Sequence, residues 1–479
     1  MIYQFFVEFY AHCYSPFWSI NDKRLHNLNY IPTLLTASAA YRRVWHFAWP
    51  AILSNISVPL LGLVDAAVLG HLSSPEYLGG VAVAATLFSM IFWAFGFLRM
   101  GTTGLVAQAK GRNDRYAIRK WLLQSLVFAA VTGLLLILFS PLILHFALPF
   151  FEASEAVVRQ AEIYFQTRIF SAPAVLVNYA LIGWLIGMQK PKGPLLILVL
   201  GNAVNIVLDL LFVLGLGWAT QGAAMATVIA GYLALALGLL MVRRVLAHDG
   251  SQFSREMVFD IAAFRRLIML NRHLFVRTLC LLSVQAFFTA QGARLGDEVL
   301  AANALLLNLM VLISNGLDGF AHAAEALTGE SIGKGDRRQF HQVVRVTGWC
   351  SLICGGLFSL FLGLGGNSLL GWLTNISEVA EQASVYLPWL VVMPLIAVWC
   401  FWLDGVFIGA VRTDMMQNTM LIATVLVFLP VWLLFRDLGN QGLWLAYTVF
   451  MATRGLGLIW VYRHFSKNDV WFAARHDLL

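Results

Sequence analysis

The segments Leu181-Ile182-Gly183-Trp184-Leu185-Ile186-Gly187-Met188-Gln189-Lys190 and Leu403-Asp404-Gly405-Val406-Phe407-Ile408-Gly409-Ala410-Val411-Arg412 lie 222 residues apart, and five of their ten places agree: Leu, Gly, Ile, Gly and a closing cation. The same offset recurs twice. Leu78-Gly79-Gly80-Val81-Ala82 falls on Leu300-Ala301-Ala302-Asn303-Ala304, and Gly111 with Asp114 falls on Gly333 with Asp336. Gln221-Gly222 meets Gln441-Gly442 after a two-residue slip. Three anchors held in register over about 110 residues define an internal repeat, so the chain is built from two related halves.

Each half is written in the residues of a bilayer. Of the 479 residues, 59% are hydrophobic and 12% charged, against about 25% charged in soluble domains. No Asp, Glu, Lys or Arg interrupts Trp121 to Phe151, Leu210 to Val242, Gly348 to Ser377 or Met415 to Phe435. Any of these crosses about 30 Å of hydrocarbon at about 1.5 Å per helical residue. Twelve spans are expected, near 46–70, 80–106, 121–148, 162–188, 194–217, 221–242, 273–293, 299–328, 346–373, 385–411, 416–435 and 440–462.

The net charge of +7 follows these spans and does not mark a nucleic-acid surface. Even-numbered connections carry Lys110, Arg112, Arg115, Arg119 and Lys120; Lys190 and Lys192; Arg243 to Arg272; Lys334 to Arg345; and Arg412. Odd-numbered ones hold little beyond Arg159, Arg294 and Arg436. The positive-inside rule then puts both termini in the cytoplasm of a cell whose plasma (inner) membrane the chain crosses. Six is even, so both halves enter from one side and are related by a pseudo-two-fold axis along the membrane normal, with a cavity between them. The expected fold is an all-α polytopic membrane protein: an extension over 1–36 without an ordered signal-peptide layout, an N-lobe over 37–242, a cytoplasmic linker over 243–272, a C-lobe over 273–465 and a tail over 466–479. Phe253, Met257, Ile261 and Leu267 give the linker the spacing of an amphipathic surface helix, with an irregular linker as the alternative. The five cysteines show no metal spacing and read as small apolar packers.

An ionisable group inside a span costs from about 2.5 kcal/mol upward, so each asks for a reason. Asp65 lies near the outer end of the first span, with Pro59 and Gly62 able to loosen the helix beside it. Asn202, Asn205 and Asp209 follow i, i+3, i+7 spacing and share one face of the fifth span. Asp209, Thr227 of the sixth span and Asp65 lie at similar depth, about 9–10 Å below the outer surface. A shared site and a helix-gluing polar network both produce this pattern. Asn178 in the fourth span is a further polar candidate. Asp318 and Glu325, a heptad apart in the eighth span, and Asp404 in the tenth lie nearer the cytoplasm. Snorkelling or pairing with Arg412 would explain them as well as function would. Arg99, Arg168 and Arg454 read as snorkelling residues or carboxylate partners. No histidine pair has metal-ligand spacing in an apolar span, so no metal site is expected.

From about Leu35 to Trp460 the sequence resembles the MATE (multidrug and toxic compound extrusion) transporters, most closely their DinF-type branch. The resemblance rests on Pro59-Leu60-Leu61-Gly62-Leu63-Val64-Asp65, Leu98-Arg99-Met100, Ser171-Ala172-Pro173, Gly201-Asn202 with Asn205 and Asp209, Gln221-Gly222-Ala223-Ala224, Leu317-Asp318-Gly319-Phe320-Ala321 and Leu403-Asp404-Gly405. It implies two six-helix lobes that alternate between inward and outward states and exchange a drug for H⁺ or Na⁺. It also implies a cation-coupling site at Asp65, Asn205, Asp209 and Thr227, which would orient a proton-binding carboxylate or cage Na⁺, with no other cofactor. Asp404 resembles a tenth-helix Asp of other branches, yet no counterpart to their seventh-helix Glu is present. The expected substrates are lipophilic, often cationic small molecules, and the expected working form is a monomer surrounded by lipid. A lipid-linked precursor flippase of the same wider superfamily is the alternative, disfavoured because the strongest buried charges are carboxylates. An integral-membrane transferase lacks its clustered His/Asp signature.

Overall fold

The computed structural model describes residues 37–70, 74–151, 153–247, 254, 256–374 and 376–473. The extension over 1–36 and the side chains of Pro59 and Asp65 lie outside the described residues. Helix α1 (Ala37–Gly70) runs on through both of those positions. Eleven helices follow that are long and apolar enough to cross a bilayer: α2 (Glu76–Gly111), α3 (Arg115–Leu138), α4 (Glu155–Gly187), α5 (Lys192–Gly215), α6 (Ala219–Ala247), α7 (Ile261–Arg294), α8 (Asp297–Lys334), α9 (Arg337–Leu373), α10 (Ser377–Gly409), α11 (Thr413–Leu438) and α12 (Asn440–Lys467). No strand occurs among the described residues. The chain is therefore an all-α multi-pass membrane protein whose helices coincide with the twelve expected spans.

The differences lie at helix ends. The 38 residues of α8 reach about 57 Å, well beyond the hydrocarbon. The third span is in two pieces, because α3 stops at Leu138 and a short helix, Ser140–Ala147, restarts with Pro141 in its first turn, where a missing N–H costs nothing. Helix also takes most of the segment expected as linker. Arg243 and Arg244 lie in the last turns of α6, and Arg265, Arg266 and Arg272 lie on α7. Of the apolar residues expected on a surface helix there, Met257 and Leu267 are buried, Ile261 is exposed, and Phe253 lies outside the described residues. Asp260 caps α7 by accepting from Ala263 N at 3.0 Å and pairs with Lys120 of α3 at 2.9 Å. The amides at that cap, and then Lys120, hold its carboxyl below the usual aspartate range.

The repeat read from sequence is physical. Asp114 and Asp336 are N-caps with the same backbone, φ −84°, ψ 90° and φ −88°, ψ 92°, accepting from Ala117 N at 2.9 Å and Gln339 N at 2.8 Å. Gly183 of α4 presses on the Arg99 carbonyl of α2, and Gly405 of α10 presses on the Ala321 carbonyl of α8, its mate in the repeat. Most telling is the pair Gly111 and Gly333. A Cβ on Gly111 would collide with the Glu330 carbonyl, and one on Gly333 with the Gln108 carbonyl, while each glycine's Cα faces the other. Glu330 and Gln108 are themselves repeat mates, so the pseudo-two-fold axis passes between the two glycines. Only residues without a Cβ let α2 and α8 meet there.

Both fifth helices carry π-helical turns, Leu210–Gly215 in α5 and Ile422–Phe428 in α11. They lie between the third repeat anchor and the slipped fourth one.

Candidate functional site

Three polar clusters stand out. The first joins α5 to α6, where Asn205 and Asp209, one helical turn apart, are both buried. In one amide orientation Asn205 Nδ2 donates to Thr227 Oγ1 at 3.3 Å. In the other, Nδ2 donates to Asp209 Oδ2 and Oδ1 accepts from the Thr227 amide, each at 3.1 Å. The second orientation satisfies both ends of the amide and is the better assignment. Asn205, Asp209 and Thr227 thus form one cluster, and the π turn begins at the residue after Asp209, a distortion frequent at functional sites.

The other two asparagines face elsewhere. Asn202 donates to the Ser57 carbonyl and hydroxyl of α1 at 3.1 and 3.2 Å, tying α5 to the helix that carries Asp65. Asn178 of α4 donates to the Gly231 carbonyl of α6 at 3.3 Å and makes no bond to the cluster.

The second cluster lines a cavity of about 400 Å³ walled by α2, α7, α8, α10 and α12. Asp404 is paired with Arg277 of α7 and, at 3.2 Å, with Arg454 of α12. Glu325 pairs with Arg99 of α2 at 3.2 Å. Asp318 and His322 line the same cavity from the face of α8 that bears Glu325. Pairing of Asp404 with Arg412 is not found: Arg412 donates instead to the Val470 carbonyl at 2.9 Å. Snorkelling does not explain Arg99 or Arg454 either, since both line the cavity beside their carboxylates. The cavity therefore holds as many arginines as carboxylates, so carboxylates are not the dominant buried charge there. Arg277 was not anticipated. It lies near the start of the seventh expected span, but α7 begins at Ile261 and so carries it well inside the helix, where it is buried.

The third cluster seals the end of the bundle that gathers the basic connections. Glu330 of α8 accepts from Arg43 of α1 and from Gln189 beyond α4, and pairs with Lys334 at 2.8 Å. Lys110 of α2 donates to the Met188 carbonyl at 2.9 Å, and Gln108 donates to the Gly409 carbonyl of α10 at 3.0 Å. Together with Gly111 against Gly333, these contacts close that end.

Known proteins share this fold. The MatE family model matches residues 50–211 and again 274–433, once per half. DNA damage-inducible protein F of Escherichia coli (strain K12) is 46% identical over 440 residues, 90% of this chain and 94% of that protein. Protein DETOXIFICATION 44, chloroplastic, of Arabidopsis thaliana is 26% identical over 432 residues, 87% of this chain and 81% of its own. Among solved structures, MATE in complex with MaD3S has a TM-score of 0.78 at 19% identity, covering 90% of this chain and 97% of that one. An outward-facing conformation of a multidrug resistance MATE family transporter of the MOP superfamily has the same score and identity, covering 89% and 96%. With one family match in each six-helix half and a relative at 46% identity along nearly its whole length, the chain belongs to the MatE family of multi-pass transporters.

Proposed function

We propose that the chain is a secondary active exporter of the plasma (inner) membrane, exchanging amphipathic, often cationic organic compounds for H⁺ by alternating access. The observation that carries this reading is the cluster of buried Asn205 and Asp209 with half-buried Thr227, joined through Asn202 and Ser57 to the helix bearing Asp65. A carboxylate held among neutral oxygens and one amide can gain or lose a cation without disturbing an ion pair. The contact with α1 gives that event a helix to move, which is the differential interaction a coupled transition requires. Na⁺ is the competing ion, since the same oxygens suit a hard cation. The even-numbered connections and both termini face the cytoplasm, so the sealed basic end is the cytoplasmic gate of a monomer.

Purified chain in liposomes under imposed proton or sodium gradients tests the ion. Export driven by a proton gradient at constant sodium is expected, and a strict sodium requirement overturns the proton assignment. In a cell lacking its main exporters, overproduction should raise resistance to several unrelated lipophilic cations and lower their accumulation, because a largely apolar cavity gains affinity from burial and tolerates shape. The arginines of the C-lobe cavity favour one second reading, the lipid-linked precursor flippase. Unchanged accumulation of every compound tried, with the protein verified in the membrane, overturns the exporter reading in favour of the flippase or the transferase. Orientation is read by cysteines placed singly in a cysteine-free background: those in the 72–78 and 374–380 connections should label from outside, and those in 112–118 and 334–340 should not.

A further inference from the structure

Asp404 is one carboxylate serving two guanidinium groups. Arg277 and Arg454 both point to its Oδ2, all three residues are buried, and all three line the same cavity. In formal charge the triad keeps one positive charge, which Asp318 on α8 offsets across the cavity with no ion pair of its own among the described residues, while Arg99 and Glu325 balance each other. In donors the triad has a surplus. Two arginines offer ten N–H groups, far more than one carboxylate accepts, and the Arg277 Nε–H has no hydrogen-bond partner among the described residues. Buried donors that lack acceptors are costly in a low-dielectric site, so a charged acceptor is favoured there. Part of the wall is apolar and deformable: Leu281, Met310, Val311, Phe401, Tyr447 and Met451 line the same space.

We propose that the Arg277–Asp404–Arg454 triad is a substrate site for the singly charged anionic head, carboxylate or sulfonate, of an amphipathic compound whose apolar body lies along those walls. Arg is suited to this role, because its planar fork matches a carboxylate or sulfonate with two parallel hydrogen bonds. The site goes beyond the cation-exporter reading and lies in the other half of the chain from the Asn205–Asp209–Thr227 cluster. A coupling cation at Asp404 is disfavoured by the two guanidiniums already there, which occupy the carboxylate and repel a further positive charge. A polyanionic head such as a pyrophosphate is disfavoured from the other direction, because Asp318 and Glu325 line the same cavity and would repel the added negative charges.

The test is equilibrium binding to the purified full chain in phosphatidylcholine nanodiscs, with three probes sharing one fluorophore: 11-(dansylamino)undecanoate, its methyl ester and the cation dansylcadaverine. The acid is expected to bind about tenfold tighter than the ester, the equivalent of one charge-assisted hydrogen-bond pair. Arg454→Gln leaves a balanced Arg277–Asp404 pair, so the fold is expected to hold; it should bring acid affinity down to that of the ester while the ester changes by less than about twofold. Asp404→Asn removes the competing carboxylate at nearly constant volume and should tighten acid binding, whereas a purely structural triad would bind the acid no better. Equal affinity for acid and ester in the wild-type chain overturns the proposal. So does a weaker acid complex in Asp404→Asn whose thermal unfolding matches the wild type, and so does displacement of the acid probe by farnesyl pyrophosphate at lower concentration than by dodecyl sulfonate. No gradient is present in this measurement, so loss of gradient-driven export with acid binding intact counts against the antiport reading alone.

Discussion

Asp209→Asn lowers gradient-driven export by about a hundredfold, toward the leak of empty liposomes, while the chain stays folded and inserted. The substitution keeps the shape of a residue that is 1% exposed and bonded to Asn205, which in turn bonds Thr227. It also imitates the protonated carboxyl: an amide oxygen still accepts, an amide N–H donates where the acid proton would, and no charge remains. What is lost is the ability to change state. A coupling ion shifts the two lobes only as far as its affinity differs between their arrangements, and a group that is permanently neutral supplies no such difference. Asp65→Asn is expected to behave alike, and the double variant should be little worse than either single one if both carboxylates act as a unit. The readout is drug-driven proton release from purified protein in liposomes, with sodium varied at fixed pH. Normal coupled exchange by Asp209→Asn removes this cluster from the mechanism.

How much of this could be read from the chain depended on the range of the interaction. Hydropathy and the alternation of basic connections are properties of single segments, so twelve spans were legible. Gly111 with Gly333 and Asp114 with Asp336 were visible as repeat anchors, and the fold explains why those residue types recur: the glycines are crossed by the axis and the aspartates cap helices. Asn205, Asp209 and Thr227 could be grouped because helical face and depth are local quantities, and α5 and α6 are neighbours in sequence. Nothing local reports that Arg277 meets Asp404 across 127 residues or that Arg99 meets Glu325 across 226. Those pairs depend on how α7, α10 and α12 pack and on how α2 meets α8. The helix ends misled for a related reason. Helices here run several turns past the hydrocarbon, so Arg277, four residues into the expected seventh span, sits well inside the longer α7.

Glu330→Gln is expected to open the sealed end. Glu330 is the one carboxylate in a knot of cations among the described residues there: it accepts from Arg43 of α1, pairs with Lys334, and takes a further hydrogen bond from Gln189, with Lys110 of α2 close by on the Met188 carbonyl. Arg43 and Gln189 belong to one half of the chain and Glu330 to the other, so this carboxylate holds the two halves together. Neutralising it removes the attraction and leaves Arg43 and Lys110 facing Lys334 with no counter-charge, so repulsion adds to the loss. A fully buried pair broken on one side costs about 3–5 kcal/mol. The Arg43 side chain is 26% exposed and Lys334 44%, so water recovers part of that, and about 2 kcal/mol is the better figure. That corresponds to about a thirtyfold rise in the ratio of open to closed basic ends. Ala107 reports it directly, being fully buried where α2 packs against Gly329 of α8. In a cysteine-free background, Ala107→Cys should react slowly with a membrane-permeant maleimide, and Glu330→Gln should accelerate the reaction by about thirtyfold. Arg43→Gln should act in the same direction, and in combination with Glu330→Gln it should add little, because both remove the same cross-lobe pair. Unchanged labelling in both variants would mean that the glycine contact between α2 and α8 alone keeps this end shut.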